Sequence, residues 1–166
     1  AELLPADLRG SCVLLYAGNF GVAHDVETVA EGYRLHHRAG TGRVRLWLSA
    51  TGAGADDLVA RFTEQGLPFH KSQPVPLDRL AGLLRAPDAH LVTLKDAFVG
   101  FVMPSKIYAC IDSGKPVLFV GSAASDVDLL AHAAGPDGYW RVACGDAAGF
   151  AAALETLADR SSESRQ

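Results

Sequence analysis

Two short segments carry residue types and spacings suited to an anionic ligand. Gly18-Asn19-Phe20-Gly21 lies between an apolar run and a helical pattern, and its two glycines let backbone come close to a bound group. A helix starting just beyond it would offer free N–H groups and a positive end to a phosphate. A tight strand-to-helix turn with no ligand has the same signature, and the segment is not Gly-x-Gly-x-x-Gly. A dinucleotide site of that kind would also want an acidic residue near the end of the second strand, and none stands there. The second segment is Gly100-Phe101-Val102-Met103-Pro104-Ser105-Lys106-Ile107-Tyr108, followed by Gly114-Lys115-Pro116. Pro104 suits the first turn of a helix, so Ser105 and Lys106 would bring a hydroxyl and an ammonium to the end that carries unpaired N–H groups. That combination suits a diphosphate; the plainer alternative is that Ser105 caps and Lys106 is a solvated charge.

Other polar residues are weighed in the same way. His24 and Asp25 open the first helical pattern, where a basic side chain could reach a phosphate, or Asp25 could cap beside a solvated imidazole. Lys95 and Asp96 end a later apolar run, a place where charged residues are most often simply solvated. Asp126-Val127-Asp128 invites a metal reading, but Ser125 forms a Ser-x-x-Asp capping box with Asp128, and acids complement the first turn of a helix. No metal is expected. Cys12, Cys110 and Cys144 cannot all pair, lack the short spacings of zinc ligands, and are read as small buried hydrophobes. Trp47 and Trp140 fall on predicted strands and belong to the core or its rim.

These residues need elements to hold them. Apolar runs bounded by glycine and proline predict strands at 12–17, 44–48, 68–70, 88–94, 116–120 and 139–143. Helical periodicity predicts helices at 24–38, 55–65, 77–84, 104–113 and 127–134, and a last one capped by Asp146. The polar tail from Ser161 is expected to be loose. Strands alternating with helices require right-handed crossovers, so the fold class is α/β, a doubly wound, mostly parallel, six-stranded Rossmann-like sheet with helices on both faces. Ligands of such sheets bind outside the carboxyl ends of the strands, where strand order reverses. The loops 18–24, 49–55, 71–76, 95–104 and 121–125 are therefore the ones that matter.

The 166 residues are 49% hydrophobic and 20% charged, which fits one compact domain. Fifteen Lys and Arg against 19 Asp and Glu leave a net charge of −4, which argues against a broad nucleic-acid footprint and makes any anion site local. No apolar run approaches the roughly 20 residues that cross a bilayer, and the opening residues lack a leader pattern, so a cytoplasmic setting is expected.

In their order along the chain, Leu-Tyr-Ala-Gly-Asn-Phe-Gly at 15–21, Ala-His-Asp-Val-Glu-Thr at 23–28, Pro-Ser-Lys-Ile-Tyr at 104–108 and Ser-Gly-Lys-Pro-Val at 113–117 resemble the C-terminal half of family 4 glycosyltransferases. The bacterial sugar transferases of capsule, O-antigen and exopolysaccharide assembly are the most similar. The resemblance runs over residues 12–157. It implies one half of a GT-B fold, two Rossmann-like domains facing across a cleft, with the C-terminal domain binding a nucleotide diphosphate sugar. Residues 1–11 would then be the end of an interdomain linker and 12–160 the donor domain, the N-terminal acceptor domain being absent.

Carried over by residue, the resemblance implies that Gly18, Asn19 and Gly21 face the donor's phosphates and sugar; by their places in the chain, His24 could reach a phosphate and Lys95 would lie close to the sugar site. Ser105 and Lys106 would hold the diphosphate and serve catalysis by stabilising its developing charge. Residues 70–74 would lie where the family seats the nucleobase. The family's two glutamates, eight residues apart, fall at Phe101 and Ala109, so the carboxylates that usually meet the donor sugar and the ribose are missing. The implied donor is a UDP- or GDP-sugar with no covalently bound cofactor and no metal. The implied acceptor is a glycan or lipid-linked sugar in cell-surface polysaccharide synthesis, held by the other domain at the inner face of the membrane. A non-catalytic nucleotide-binding or interaction module with a decayed donor pocket is the competing reading, and half of an NAD-dependent dehydrogenase is a third.

Overall fold

The computed structural model describes residues 4–99, 106–133 and 138–164. Six strands, β1 (Cys12–Asn19), β2 (Val44–Thr51), β3 (Phe69–Ser72), β4 (Ala89–Thr93), β5 (Val117–Val120) and β6 (Tyr139–Val142), alternate with six helices. These are α1 (Val26–Arg38), α2 (Ala53–Gln65), α3 (Leu77–Arg85), α4 (Lys106–Asp112), α5 (Asp126–Ala133) and α6 (Ala147–Ser164). All strand pairs are parallel and the order is β3-β2-β1-β4-β5-β6, so direction of travel reverses between β1 and β4. The expected doubly wound sheet is the observed one.

Strand periodicity divides the core. Leu14 and Tyr16 of β1 face one layer with Leu46 and Leu48 of β2, covered by α1, α2 and α6 through Val29, Tyr33, Phe62 and Phe150. Val13 and Leu15 face the other way, against Trp47, Leu83 and Leu84. Under β4 and β5, Val92, Leu94, Val117 and Phe119 pack on Ile107 and Cys110 of α4 and Val127 of α5. β1 is buried on both faces, which is why its sequence reads as a continuous apolar run.

Several boundaries differ from the sequence reading. Gly18 and Asn19 belong to the strand, in register with Ala50 and Thr51 of β2. His24 and Asp25 precede α1 rather than open it; Asp25 is extended and accepts the Thr28 N–H at 3.0 Å as the N-cap. At α5, the Ser125 hydroxyl accepts from the Val127 N–H, whereas Asp128 turns away from any capping box and accepts from the Tyr139 hydroxyl at 2.6 Å. The tail expected to be loose from Ser161 is helical to Ser164, because the buried Ser161 hydroxyl reaches Asp88. Residues 6–8 form a 3-10 turn whose Leu8 is buried against Val13, Leu15 and Trp47. The expected helix start at Pro104 and Ser105, with 100–103, lies outside the described residues.

Candidate functional site

The reversal point is built from the last residues of β1 and β4. Gly18 has φ +121°, a conformation that side-chain-bearing residues rarely adopt, and a Cβ there would meet nothing within 4 Å. The glycine is therefore required for its backbone, and the space beside it stays open. Asn19 is exposed, and its side chain lies over the next loop: Nδ2 is 3.0 Å from where a Cβ on Gly21 would be, and Oδ1 crowds the same position on Gly52. Gly52 has φ +104° and opens α2. Backbone bonds from Phe20 N–H to Thr51 O at 2.7 Å and from Gly54 N–H to Phe20 O at 2.8 Å complete the join between the β1 and β2 loops.

Beneath this turn the Tyr16 hydroxyl donates to Asn19 O at 2.7 Å, while burial pushes its pKa far above the ordinary phenol value and keeps it a neutral donor. The Tyr16 ring packs on Phe20 and meets the edge of His24. His24 is half-buried, with Nδ1 2.8 Å from Thr93 O, so Nδ1–H donates to the last residue of β4. Thr93 Oγ1 accepts the Asp25 N–H at 3.0 Å, and the Lys95 N–H reaches Ala23 O at 2.8 Å. These bonds tie the β1 and β4 loops together where the β1–β4 ladder, registered at Leu14–Ala89 and Leu15–His90, has been left behind. Cys144 Sγ–H donates to Leu94 O beside them, its pKa pushed up to about 12 by burial and then by Asp25, so it is an unreactive thiol.

A cleft of about 290 Å³ opens at the same edge of the sheet. Ala17, Gly18 and Ser49 form one side, Pro74, Val75 and three leucines of α3 another, and Ala109 with Cys110 of α4 the third. Gly18 and Ala109 are thus brought to one cavity. Asn19, Gly21, His24 and Lys95 are not among the residues that line it: Asn19 ends β1, and the other three lie on the loops after β1 and β4. Ser105 lies outside the described residues, and of Lys106 only the backbone, at the start of α4, is placed. Among the described residues no group of three or more His, Cys, Asp or Glu side chains could hold a metal ion.

The charge distribution of this edge is one-sided. Residues 17–24, 49–55, 71–77 and 121–125 contain no Asp or Glu in a chain with 19 of them, yet they include His24 and Lys71, and the loop 95–104 holds one acid, Asp96, next to Lys95. Removing carboxylates from a rim that keeps its cations makes it attractive to anions without a positive net charge. The reading from residue types missed Thr93, Tyr16, Ser49 and Gly52. Polar residues at the carboxyl ends of buried strands were the available signal for Thr93 and Ser49.

Neither a protein-family model nor a curated protein sequence matches the chain. Solved structures match it in fold. The catalytic domain of cholesterol-alpha-glucosyltransferase from Helicobacter pylori has a TM-score of 0.67 at 12% identity, over 91% of this chain and 88% of that one. AviGT4, a glycosyltransferase involved in Avilamycin A biosynthesis, has 0.62 at 19% identity, over 92% and 44%. A UDP-forming alpha,alpha-trehalose-phosphate synthase from Burkholderia xenovorans has 0.59 at 18% identity, over 93% and 38%. The chain spans less than half the length of the last two. At these identities the likeness is one of architecture, and the architecture of this chain is that of the Rossmann-like half of the GT-B fold.

Proposed function

We propose that the chain is the donor-binding half of a glycosyltransferase, taking a nucleoside diphosphate sugar whose sugar is transferred to a glycan or lipid-linked acceptor held by a second domain. The observation that carries this reading is the carboxylate-poor edge at the reversal point, where Gly18 and Ala109 line one cleft. The base enters the apolar cleft, and the diphosphate runs along Gly18, Asn19 and Gly21 towards Ser105 and Lys106. Lys106 and the N–H groups at the start of α4 hold the leaving diphosphate as its charge develops, a task that fixed dipoles and a cation perform without a metal. His24, anchored by Thr93, and Lys95 stand next to the phosphates and the transferred sugar. A general base, if the reaction uses one, belongs to the other domain, which also holds the acceptor, so this half alone binds and does not turn over. The family 4 membership, the place in cell-surface polysaccharide synthesis and the cytoplasmic setting belong to the same proposal; no helix among the described residues is long and apolar enough to cross a membrane.

Calorimetric titration with UDP, GDP, ADP and NAD at fixed salt tests it. Selective micromolar to millimolar binding of one nucleoside diphosphate is the expected result, and Lys106→Ala should weaken it about tenfold, or about 1.4 kcal/mol. Preference for NAD would point to a dehydrogenase half. Binding that Lys106→Ala leaves unchanged would remove the phosphate site, and silence towards all four would favour the non-catalytic module.

A further inference from the structure

We infer that residues 4–9 are a strap on the cleft: they and α3 open and close as one unit, and a ligand in the cleft holds both shut. The identity of that ligand rests on the donor-binding reading above. Six of the ten residues that line the cleft, Ala17, Val75, Leu80, Leu83, Leu84 and Ala109, belong to or pack against the apolar cluster that Leu8 completes. Leu8, in the 3-10 turn Ala6–Leu8, is 2% exposed, and Leu4 packs on the same cluster.

α3 supplies one wall of the cleft and has a slight hold on the rest of the protein. It is nine residues long, Pro76 at its N-cap makes no side-chain bond, and its buried residues are Leu83 and Leu84. A helix so short does not persist in water by itself, so its seat in the cluster with Leu8, Val13, Leu15 and Trp47 keeps it in place. β3 is joined to the strap as well. His70 Nδ1 lies 2.9 Å from Asp7 Oδ2, the His70 ring meets Trp47 edge to face, and Trp47 Nε1–H donates to Ser72 Oγ at 2.9 Å. The pair with exposed Asp7 orients the turn and adds little to its hold, which comes from burying Leu8. Elements held by few apolar contacts open at a small cost in free energy. A ligand packed on the leucines of α3 binds the closed unit, so it must slow opening of the strap, and loosening the strap must weaken the ligand by the same factor.

Amide hydrogen exchange of the whole chain tests this with two variants. Leu8→Ala should speed exchange at Leu83 and Leu84 about tenfold or more, and by the same factor as at Leu118 of β5, because the opened unit has already given up the Leu8 contacts. Val29→Ala, in the buried layer under α1, should speed Leu118 and leave Leu83 and Leu84 unchanged. Unchanged exchange at Leu83 and Leu84 in Leu8→Ala, or equal acceleration there by both variants, would overturn the inference. If Leu8→Ala does not fold, Leu8→Val reads the same pattern at smaller size. Whichever of UDP, GDP and ADP binds should also slow exchange at Leu8 and Arg9, whose N–H groups donate to Pro5 O and Ala6 O at 3.0 and 3.3 Å. Leu8→Ala should weaken that nucleotide about fivefold or more. Slowing at Leu83 and Leu84 with none at Leu8 and Arg9 would overturn the coupling while leaving nucleotide binding in place. Silence towards all three nucleotides would overturn the donor-binding reading, and the two variants would still decide whether strap and helix are one unit.

Discussion

Asn19 lies where two glycines leave room for it, and that arrangement separates two kinds of glycine. At Gly18 a methyl group has open space, so Gly18→Ala pays only for the φ of +121°, about 1–3 kcal/mol. At Gly52 a methyl group would also strike the Asn19 side chain and stand 2.8 Å from Phe20 O. Gly52→Ala should therefore lower the urea midpoint further than Gly18→Ala; equal shifts would mean that the crowding is relieved at no cost. Thr93→Val keeps the carbonyl that anchors His24 but removes the hydroxyl that accepts the buried Asp25 N–H. The expected loss is about 1–3 kcal/mol of unfolding free energy, the cost of an unsatisfied buried donor. The glycines were legible in the sequence as turn residues. What each one accommodates was not, because Asn19 and Gly52 meet only when two loops 33 positions apart are joined by the eight-residue β1–β2 ladder.

At the scale of elements, the last turn of α1 holds the first residue of β2 by both polar atoms of its backbone. The Val44 N–H donates to His36 Nε2 at 3.0 Å, and His37 Nε2–H donates to Val44 O at 3.1 Å. His36 Nδ1–H in turn donates to Glu155 of α6, which also accepts from the Thr41 N–H and hydroxyl. Both imidazoles are neutral in this arrangement. Burial, reinforced by His36, brings the His37 pKa down to about 4, and burial lowers that of His36 against the pull of Glu155. Burial raises the Glu155 carboxyl, but the Thr41 bonds and His36 outweigh it and leave its pKa lowered.

A base whose folded pKa lies below its unfolded value of about 6.5 stabilises the fold fully above that pH and loses the contribution as pH falls towards the folded value. A carboxyl with a lowered pKa stabilises above its unfolded value and loses that in acid, so all three groups act in the same direction. Urea midpoints should fall as pH drops from about 6.5 to about 4, and a midpoint that is flat or rises over that window would contradict the assignment. In the sequence His37 read only as a partly apolar position on the helix face, since its partner lies across a turn. Gly32, mid-helix in α1, makes a second case at this scale. Alanine there gains about 1 kcal/mol of helix propensity, but its methyl would sit 2.5 Å from the Phe150 ring of α6. Overpacking of about 1–3 kcal/mol should win, and a raised thermal midpoint for Gly32→Ala would show that α1 and α6 can part cheaply.

At the scale of the whole molecule, parallel strands buried on both faces announce themselves as apolar runs, as β1 and β5 do. β3 and β6, partly exposed and carrying His70, Lys71 and Arg141, were legible instead from their places in the alternation with helices. The tail was misread because its polar serines hide a single anchoring bond from Ser161 to Asp88, 73 positions away. The place of the candidate site was argued from topology: reversal of strand order between β1 and β4 brings the glycine turn, Thr93 and Ala109 to one edge. A larger cavity of about 550 Å³ lies elsewhere, beside Ser11, Gly42, Arg43 and Arg45, at the start of β1 and β2. Size would favour that cavity, and Arg43 and Arg45 both line it. Yet the end of α6 lines it, and Arg43 is paired with Asp159 there, so its field is less favourable to an anion than the carboxylate-poor edge at the carboxyl ends of the strands.

The two edges are distinguished most directly by amide chemical-shift mapping of the whole chain against the nucleoside diphosphate that binds it. The donor-binding account predicts shifts at Gly18, Asn19, Gly21, Val75 and Ala109, with Ser11, Gly42, Arg43 and Arg45 unmoved. Shifts confined to the second group, or none at millimolar nucleotide, would contradict it.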